Sequence, residues 1–162
     1  VYIDMLGVPM EYFGFTLITS VIGYMVGSGL SARFSRKYTS EQLMLAGAAL
    51  AAGAAFAIWI GAILLPNSIA VMLLPMIFYS VGIGFMLPNA MALALSQFPY
   101  IAGTASALFG FVQMSLSAFA TAIVGRYLVD SPAPMLDFML AISGLALLLS
   151  VVLFRVRTHP KP

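Results

Sequence analysis

Residues 43–65 read LMLAGAALAAGAAFAIWIGAILL, an apolar run without a single charged side chain. A transmembrane α-helix needs about 20 consecutive, predominantly apolar residues, so this run is long enough to cross the hydrocarbon core of a bilayer. A helix is the expected conformation, because membrane strands show short alternating segments and not one continuous apolar run. The segment therefore predicts a membrane-spanning helix.

Four more apolar runs have a similar length. The predicted spans, in chain order, are residues 12–30, 43–65, 69–95, 101–128 and 135–154. Hydrophobic residues make up 62% of the chain and charged residues 7%, whereas an ordinary soluble domain is about a quarter charged. A soluble globule of this size could not bury so much apolar surface. The sequence predicts an all-α membrane protein with about five transmembrane helices, for which the lipid bilayer is the solvent.

Polar residues and prolines separate the runs. Thr39 and Gln42 have the spacing of a capping box, which predicts the start of the second helix. Pro66, Pro99 and Pro132 mark the next three boundaries. Since all these connections are short, we expect neighbouring helices to run antiparallel.

Basic residues predict the orientation of the helices. Antiparallel helices place the loop after the first span and the tail after the fifth span on one side of the membrane. The basic residues in these two segments are Arg33, Arg36, Lys37, Arg155, Arg157 and Lys161, and Arg126 is the remaining one. The positive-inside rule makes their side cytoplasmic, so the carboxy terminus is expected in the cytoplasm. The first span would then enter from outside, and we expect at least one helix to precede it.

Several classes of function are disfavoured by what the spans contain. The acidic and basic residues lie at span ends or in loops, and His159 lies in the tail, so the usual intramembrane markers of an ion pathway are missing. The chain has no cysteine and no nucleophile with a neighbouring base. A net charge of only +2 is too small for a nucleic-acid-binding surface. We therefore expect no enzymatic activity, no metal, no cofactor and no nucleic-acid partner.

Uncharged polar residues in the fourth span recur at helical spacing. They are Ser106, Gln113, Ser117 and Thr121, with Gly110 on the same face. Such a face either bonds a neighbouring helix or lines a polar cavity. Packing is the favoured interpretation for the serine and threonine residues, and both remain open for Gln113.

The third span has a face made of Tyr79, Gly82, Met86 and Asn89, and it contains Pro75 and Pro88. Each proline removes a backbone hydrogen bond, so the helix either lines a cavity or has a fixed bend. Small residues in the first two spans predict faces for close helix contact. These are Gly23 and Gly27 in the first span, and Gly53, Ala57 and Gly61 in the second.

Three linked motifs resemble a known family. They are LPNAMALAL at residues 87–95, Phe98-Pro99, and AGTASAL at residues 102–108. Together they resemble the tenth and eleventh helices of major facilitator superfamily drug:proton antiporters, in particular the bicyclomycin and chloramphenicol resistance (Bcr/CflA) subfamily. The five spans then match the eighth to twelfth helices. Residues 29–37, GLSARFSRK, are similar to a degenerate cytoplasmic loop motif of the superfamily, with Ala32 and Ser35 replacing its usual acidic residue and glycine.

The resemblance implies a fold and a function. Residues 1–162 would be the carboxy-terminal transmembrane part, a partial six-helix bundle, of a twelve-helix transporter in the bacterial inner membrane. It would export small hydrophobic drugs in exchange for protons, with the proton-carrying group in the amino-terminal part. In that fold the eighth, tenth and eleventh helices face a central cavity, and the ninth and twelfth lie outside. The implied lining residues are Tyr24, Tyr79, Met86, Asn89, Phe109 and Gln113.

Two other functions stay open from the sequence. One is a major facilitator carrier of another small solute, such as a sugar, a nucleoside or a metabolite. The other is a helical membrane subunit that packs against a partner and transports nothing.

Overall fold

The computed structural model describes residues 10–65, 69–127 and 133–158. Their regular structure consists of α-helices and one short 3-10 helix at Pro99–Ile101. The helices are α1 (Met10–Phe34), α2 (Ser40–Leu64), α3 (Ile69–Leu95), α4 (Ala102–Tyr127) and α5 (Ala133–Thr158). The predicted all-α fold with about five long helices is confirmed.

Four segments within these helices are long and apolar enough to cross a membrane. They are Ser40–Leu64, Leu73–Leu95, Pro99–Arg126 and Met135–Arg157. Helix α1 contains the first predicted span but is not one of the four segments. For residues 12–16 of this span, the structure describes the backbone and not the side chains. The protein is therefore a multi-pass membrane protein.

Helix α2 begins with the predicted capping box. Thr39 has an extended backbone, and its Oγ1 accepts a hydrogen bond from the Gln42 amide at 3.4 Å. The Gln42 side-chain Oε1 accepts from the Thr39 amide at 3.1 Å. The two bonds satisfy backbone donors that the first turn of a helix would otherwise leave unpaired.

Helix α3 lies between α1 and α2, and its two central glycines allow both contacts. A Cβ atom added to Gly82 would lie 2.7 Å from the backbone nitrogen of Ala51 in α2. A Cβ atom added to Gly84 would meet Gly27 and Ser28 of α1. Only glycine fits at both positions, so residues 82–84 form a crossing point on which two helices pack. The predicted close contact at Gly27 is confirmed.

The predicted small-residue face of α2 is not packed by the described helices at Gly53 and Ala57, whereas Gly61 is buried. Gly53 and Ala57 are both exposed, and a Cβ atom added to Gly53 would meet no atom within 4 Å. The packed face of α2 passes instead through Gly47, Ala51 and Ala54. Glycine and alanine occur all around this helix, so their spacing alone could not identify the packed side.

Helix α5 packs antiparallel along α2, and polar contacts fix the register near both ends. Arg157 Nη1 donates to Glu41 Oε1 at 2.9 Å, and Trp59 Nε1 donates to Asp137 Oδ1 at 2.8 Å. This register sets the buried Ser150 and Ser143 opposite the buried alanines of α2. It also places the end of α5 beside the turn after α1. Arg157 therefore lies at the same end of the bundle as the basic residues of that turn.

Candidate substrate cavity

A cavity of about 490 Å³ lies between α3, α4 and α5. Its lining residues are Tyr79 of α3, Ala120, Thr121, Val124 and Gly125 of α4, and Met135, Phe138, Met139 and Ile142 of α5. The volume is typical of small-molecule sites, which are mostly apolar with a few polar groups. Here the polar side chains are those of Tyr79 and Thr121, so the cavity suits a largely apolar ligand.

Helical spacing explains why these residues meet. The four α5 residues recur at intervals of three, one and three, which places them on one side of a helix. The α4 residues also share one side of their helix, across two helical turns. Thr121 Oγ1 donates to the Ser117 carbonyl at 2.8 Å, which satisfies its hydroxyl proton within α4. The wall of the cavity at α4 is therefore nearly apolar.

Tyr79 is the predicted lining residue that the structure places in this cavity. The other predicted lining residues have different surroundings. Phe109 and Gln113 are half-exposed on α4, and Tyr24 is exposed on α1. Met86 is half-buried, and its backbone nitrogen lies against Gly47 of α2. The six predicted residues therefore do not line one shared cavity in the described part of the chain, and a lining role for them remains a proposal.

Asn89 is buried between helices. Its Nδ2 donates to Ser31 Oγ of α1 and to the Phe85 carbonyl, both at 2.6 Å. Asn89 is 6% exposed and Ser31 is 3% exposed. Because a buried amide must find partners, this pair links α3 to α1. No sequence pattern indicates Ser31 as the partner, because a serine near the end of α1 resembles any other small residue there.

The predicted packing seam on α4 does not form with the other described helices. Ser106, Ser117 and Thr121 donate to carbonyl groups of α4 itself. A Cβ atom added to Gly110 would meet no atom within 4 Å. These hydroxyl groups are satisfied locally, as is common for serine and threonine in helices.

Sequence reasoning missed Met135, Phe138 and Met139. The only available signal was their spacing, and α5 is apolar on most sides, so the spacing did not distinguish them from residues that face lipid. Their polar neighbours Tyr79 and Thr121 stand out in the sequence because polar residues are rare in these spans.

One curated protein similar to this chain is the bicyclomycin resistance protein homolog of Haemophilus influenzae, with 31% identity over 163 residues. The predicted resemblance is confirmed. The aligned region covers 95% of this chain and 37% of the bicyclomycin resistance homolog, so the chain spans little more than a third of that relative. The all-helical membrane architecture is consistent with part of a major facilitator bundle. No family model and no solved structure matches the chain.

Proposed function

We propose that this chain is the carboxy-terminal transmembrane part of a major facilitator transporter that exports small hydrophobic drugs. The observation that carries the proposal is the similarity to a bicyclomycin resistance protein homolog along 95% of the chain. The membrane-spanning helices support it, since a secondary transporter is built of such helices. The chain acts by moving a solute and not as an enzyme.

The cavity between α3, α4 and α5 is the proposed drug site in this part of the protein. Helix α5 corresponds to the twelfth helix of the resembled fold, which lies outside the central cavity there, so the proposed site departs from the arrangement that the resemblance implies. Methionine and aromatic side chains adapt to apolar ligands of different shapes without a fixed hydrogen-bond pattern. Met135, Phe138 and Met139 supply this surface, and the Tyr79 hydroxyl supplies a polar contact.

Proton entry is the proposed driving force, and the group that carries the proton lies in the amino-terminal part of the transporter. Among the described residues with side chains, the acidic ones are Glu41 and Asp137. Both lie near helix ends and contact Arg157 and Trp59 respectively. Drawing either into the bilayer centre would cost several kcal/mol.

The basic end of the bundle is proposed to face the cytoplasm, with the protein in the bacterial inner membrane. The chain has no cysteine, so Ser35→Cys and Leu65→Cys give it one thiol each, in the turn before α2 and directly after α2. An impermeant thiol reagent applied to intact cells is expected to label the Leu65→Cys protein and not the Ser35→Cys protein. The reverse pattern would contradict the orientation.

Drug susceptibility of cells tests the function directly. The protein at its natural length is expressed in bacteria that lack their own efflux pumps, and growth is measured across a panel of hydrophobic antibiotics. We expect resistance to rise, and Tyr79→Ala or Phe138→Ala to weaken it by about five-fold, the equivalent of about 1 kcal/mol of lost apolar contact.

The matched control is Phe111→Ala on α4, where the side chain is 69% exposed and does not line the cavity. It should retain full resistance at equal expression. Unchanged susceptibility for the whole panel would exclude drug export, and an equal loss in all three variants would exclude this cavity as the site.

A further inference from the structure

A second cavity, of about 480 Å³, lies at the basic end of the bundle and has no residue in common with the proposed drug site. Its lining residues are Phe34, Tyr38, Gln42, Leu43, Ala46 and Phe85. They come from the end of α1, the following turn, the start of α2 and the facing part of α3. Since α1 ends here and α2 begins here, the cavity lies where the bundle leaves the hydrocarbon core.

Aromatic rings form one wall of this cavity. The rings of Phe34 and Phe85 are stacked with centroids 6.3 Å apart, and Phe34 meets Tyr38 edge to face at 6.2 Å. The turn is ordered by backbone bonds, because the amides of Lys37 and Tyr38 both donate to the Phe34 carbonyl. The wall is therefore apolar and held in place. It is suited to a hydrocarbon chain, and aromatic residues are common at this depth of a bilayer.

Basic residues are sequence neighbours of the residues that line this cavity. Arg33, Arg36 and Lys37 are exposed. In the sequence, Arg33 directly precedes the lining residue Phe34, Lys37 directly precedes the lining residue Tyr38, and Arg36 lies between them. The nearby carboxylate of Glu41 is paired with Arg157, which neutralises it. Gln42 accepts from the Thr39 amide through Oε1, so toward a ligand its side chain acts as a donor through Nε2. The polar groups at this end thus favour an anion that accepts hydrogen bonds.

We propose that this cavity binds an anionic phospholipid of the surrounding leaflet. One acyl chain lies against Phe34, Ala46 and Phe85, while the phosphate is held by Arg36, Lys37 and the Gln42 side-chain amide. Basic residues next to a membrane-spanning helix attract anionic lipids by about 1 kcal/mol each. A free phosphate would leave the aromatic wall empty, and an uncharged lipid would leave the cations unused. An apolar cavity next to basic residues therefore favours a lipid with a negatively charged head group.

Lipid binding to the natural-length protein in detergent can be measured by native mass spectrometry. The probes are phosphatidylglycerol and phosphatidylcholine with identical acyl chains. We expect the unaltered protein to prefer phosphatidylglycerol, and Arg36→Ala/Lys37→Ala to weaken that binding roughly 30-fold, since two charges are removed. Ala46→Phe fills the acyl cavity, and it should also reduce binding of phosphatidylglycerol.

Two control variants separate this site from general effects. Arg126→Ala removes an exposed charge from the last turn of α4, and Ala122→Phe enlarges an exposed position of α4. Both should bind phosphatidylglycerol as the unaltered protein does. The proposal would be overturned if Arg36→Ala/Lys37→Ala bound phosphatidylglycerol as tightly as the unaltered protein. It would also be overturned if the Arg126→Ala control lost as much binding as Arg36→Ala/Lys37→Ala. Displacement of the lipid by soluble glycerol 3-phosphate would also overturn it, because the site would then recognise a free phosphate ester. The Arg36 and Lys37 side chains are exposed, so their removal keeps the test independent of folding.

Discussion

Helices α2 and α4 are both apolar enough to span a membrane, but their surroundings in the bundle are opposite. In α2, 44% of the apolar window is buried inside the protein, and in α4 none is. Helix α2 is rich in glycine and alanine, which let α3 and α5 approach its backbone closely. Helix α4 exposes large side chains such as Leu108, Phe111 and Phe119. Hydrophobicity thus identifies both as membrane helices, whereas the small residues of α2 let other described helices pack closely against it.

Polar side chains follow this division only in part. In the packed region, Asn89 and Ser31 bond each other across two helices. On α4, Ser106, Ser117 and Thr121 bond their own helix. The Asn89–Ser31 pair therefore contributes to helix association, whereas the buried Ser143 and Ser150 of α5 donate to carbonyl groups of their own helix, as the α4 residues do.

The largest effect is expected from enlarging the glycine at the crossing point. Gly82→Leu forces a side chain into a space where even an added Cβ atom would lie only 2.7 Å from the Ala51 nitrogen. We expect a loss of about 3 kcal/mol of stability from overpacking, measured by thermal unfolding in detergent. Gly110→Leu on α4 is the matched control, because its added Cβ meets no atom within 4 Å. Equal stability of the two variants would contradict the packing difference between the regions.

A smaller effect is expected at the polar link between α1 and α3. Asn89→Leu removes the bond to Ser31 and should lower stability by about 1 kcal/mol. Gln113→Leu, at a half-exposed site on α4, should leave stability nearly unchanged. A double-mutant cycle of Asn89→Leu with Ser31→Ala measures the link itself. A coupling energy of zero in that cycle would mean that the two side chains do not hold the helices together.

Transport by the same two variants separates packing from substrate contact. If Asn89 and Gln113 also line the drug pathway, each leucine variant should change resistance by several-fold at equal expression, since one lost neutral hydrogen bond is worth about 1 kcal/mol. Unchanged resistance would leave Asn89 with its packing role alone.

The sequence predicted the helices well, because uninterrupted apolar runs and the Thr39 cap are local signals. It predicted their packed faces poorly. Gly53 and Gly47 lie in the same small-residue helix, yet only Gly47 meets α3 closely. Their spacing predicts Tyr79 and Asn89 on one face of α3. In the structure, Tyr79 lines a cavity with α4 and α5, whereas Asn89 bonds Ser31 of α1. In helices that are apolar on every side, periodicity cannot show which neighbour each side meets.

The central claim is that this chain forms part of a drug exporter, and reconstitution in liposomes tests it most directly. The natural-length protein is inserted into liposomes that contain a fluorescent hydrophobic drug, and a pH gradient is imposed. We expect drug movement that depends on the gradient. The Gly110→Leu variant should retain this movement, and the Gly82→Leu variant should lose it. The 162-residue chain by itself should show none, because the proposed proton carrier lies outside it. Absence of gradient-driven movement in the natural-length protein, or its presence in the 162-residue chain alone, would contradict the account.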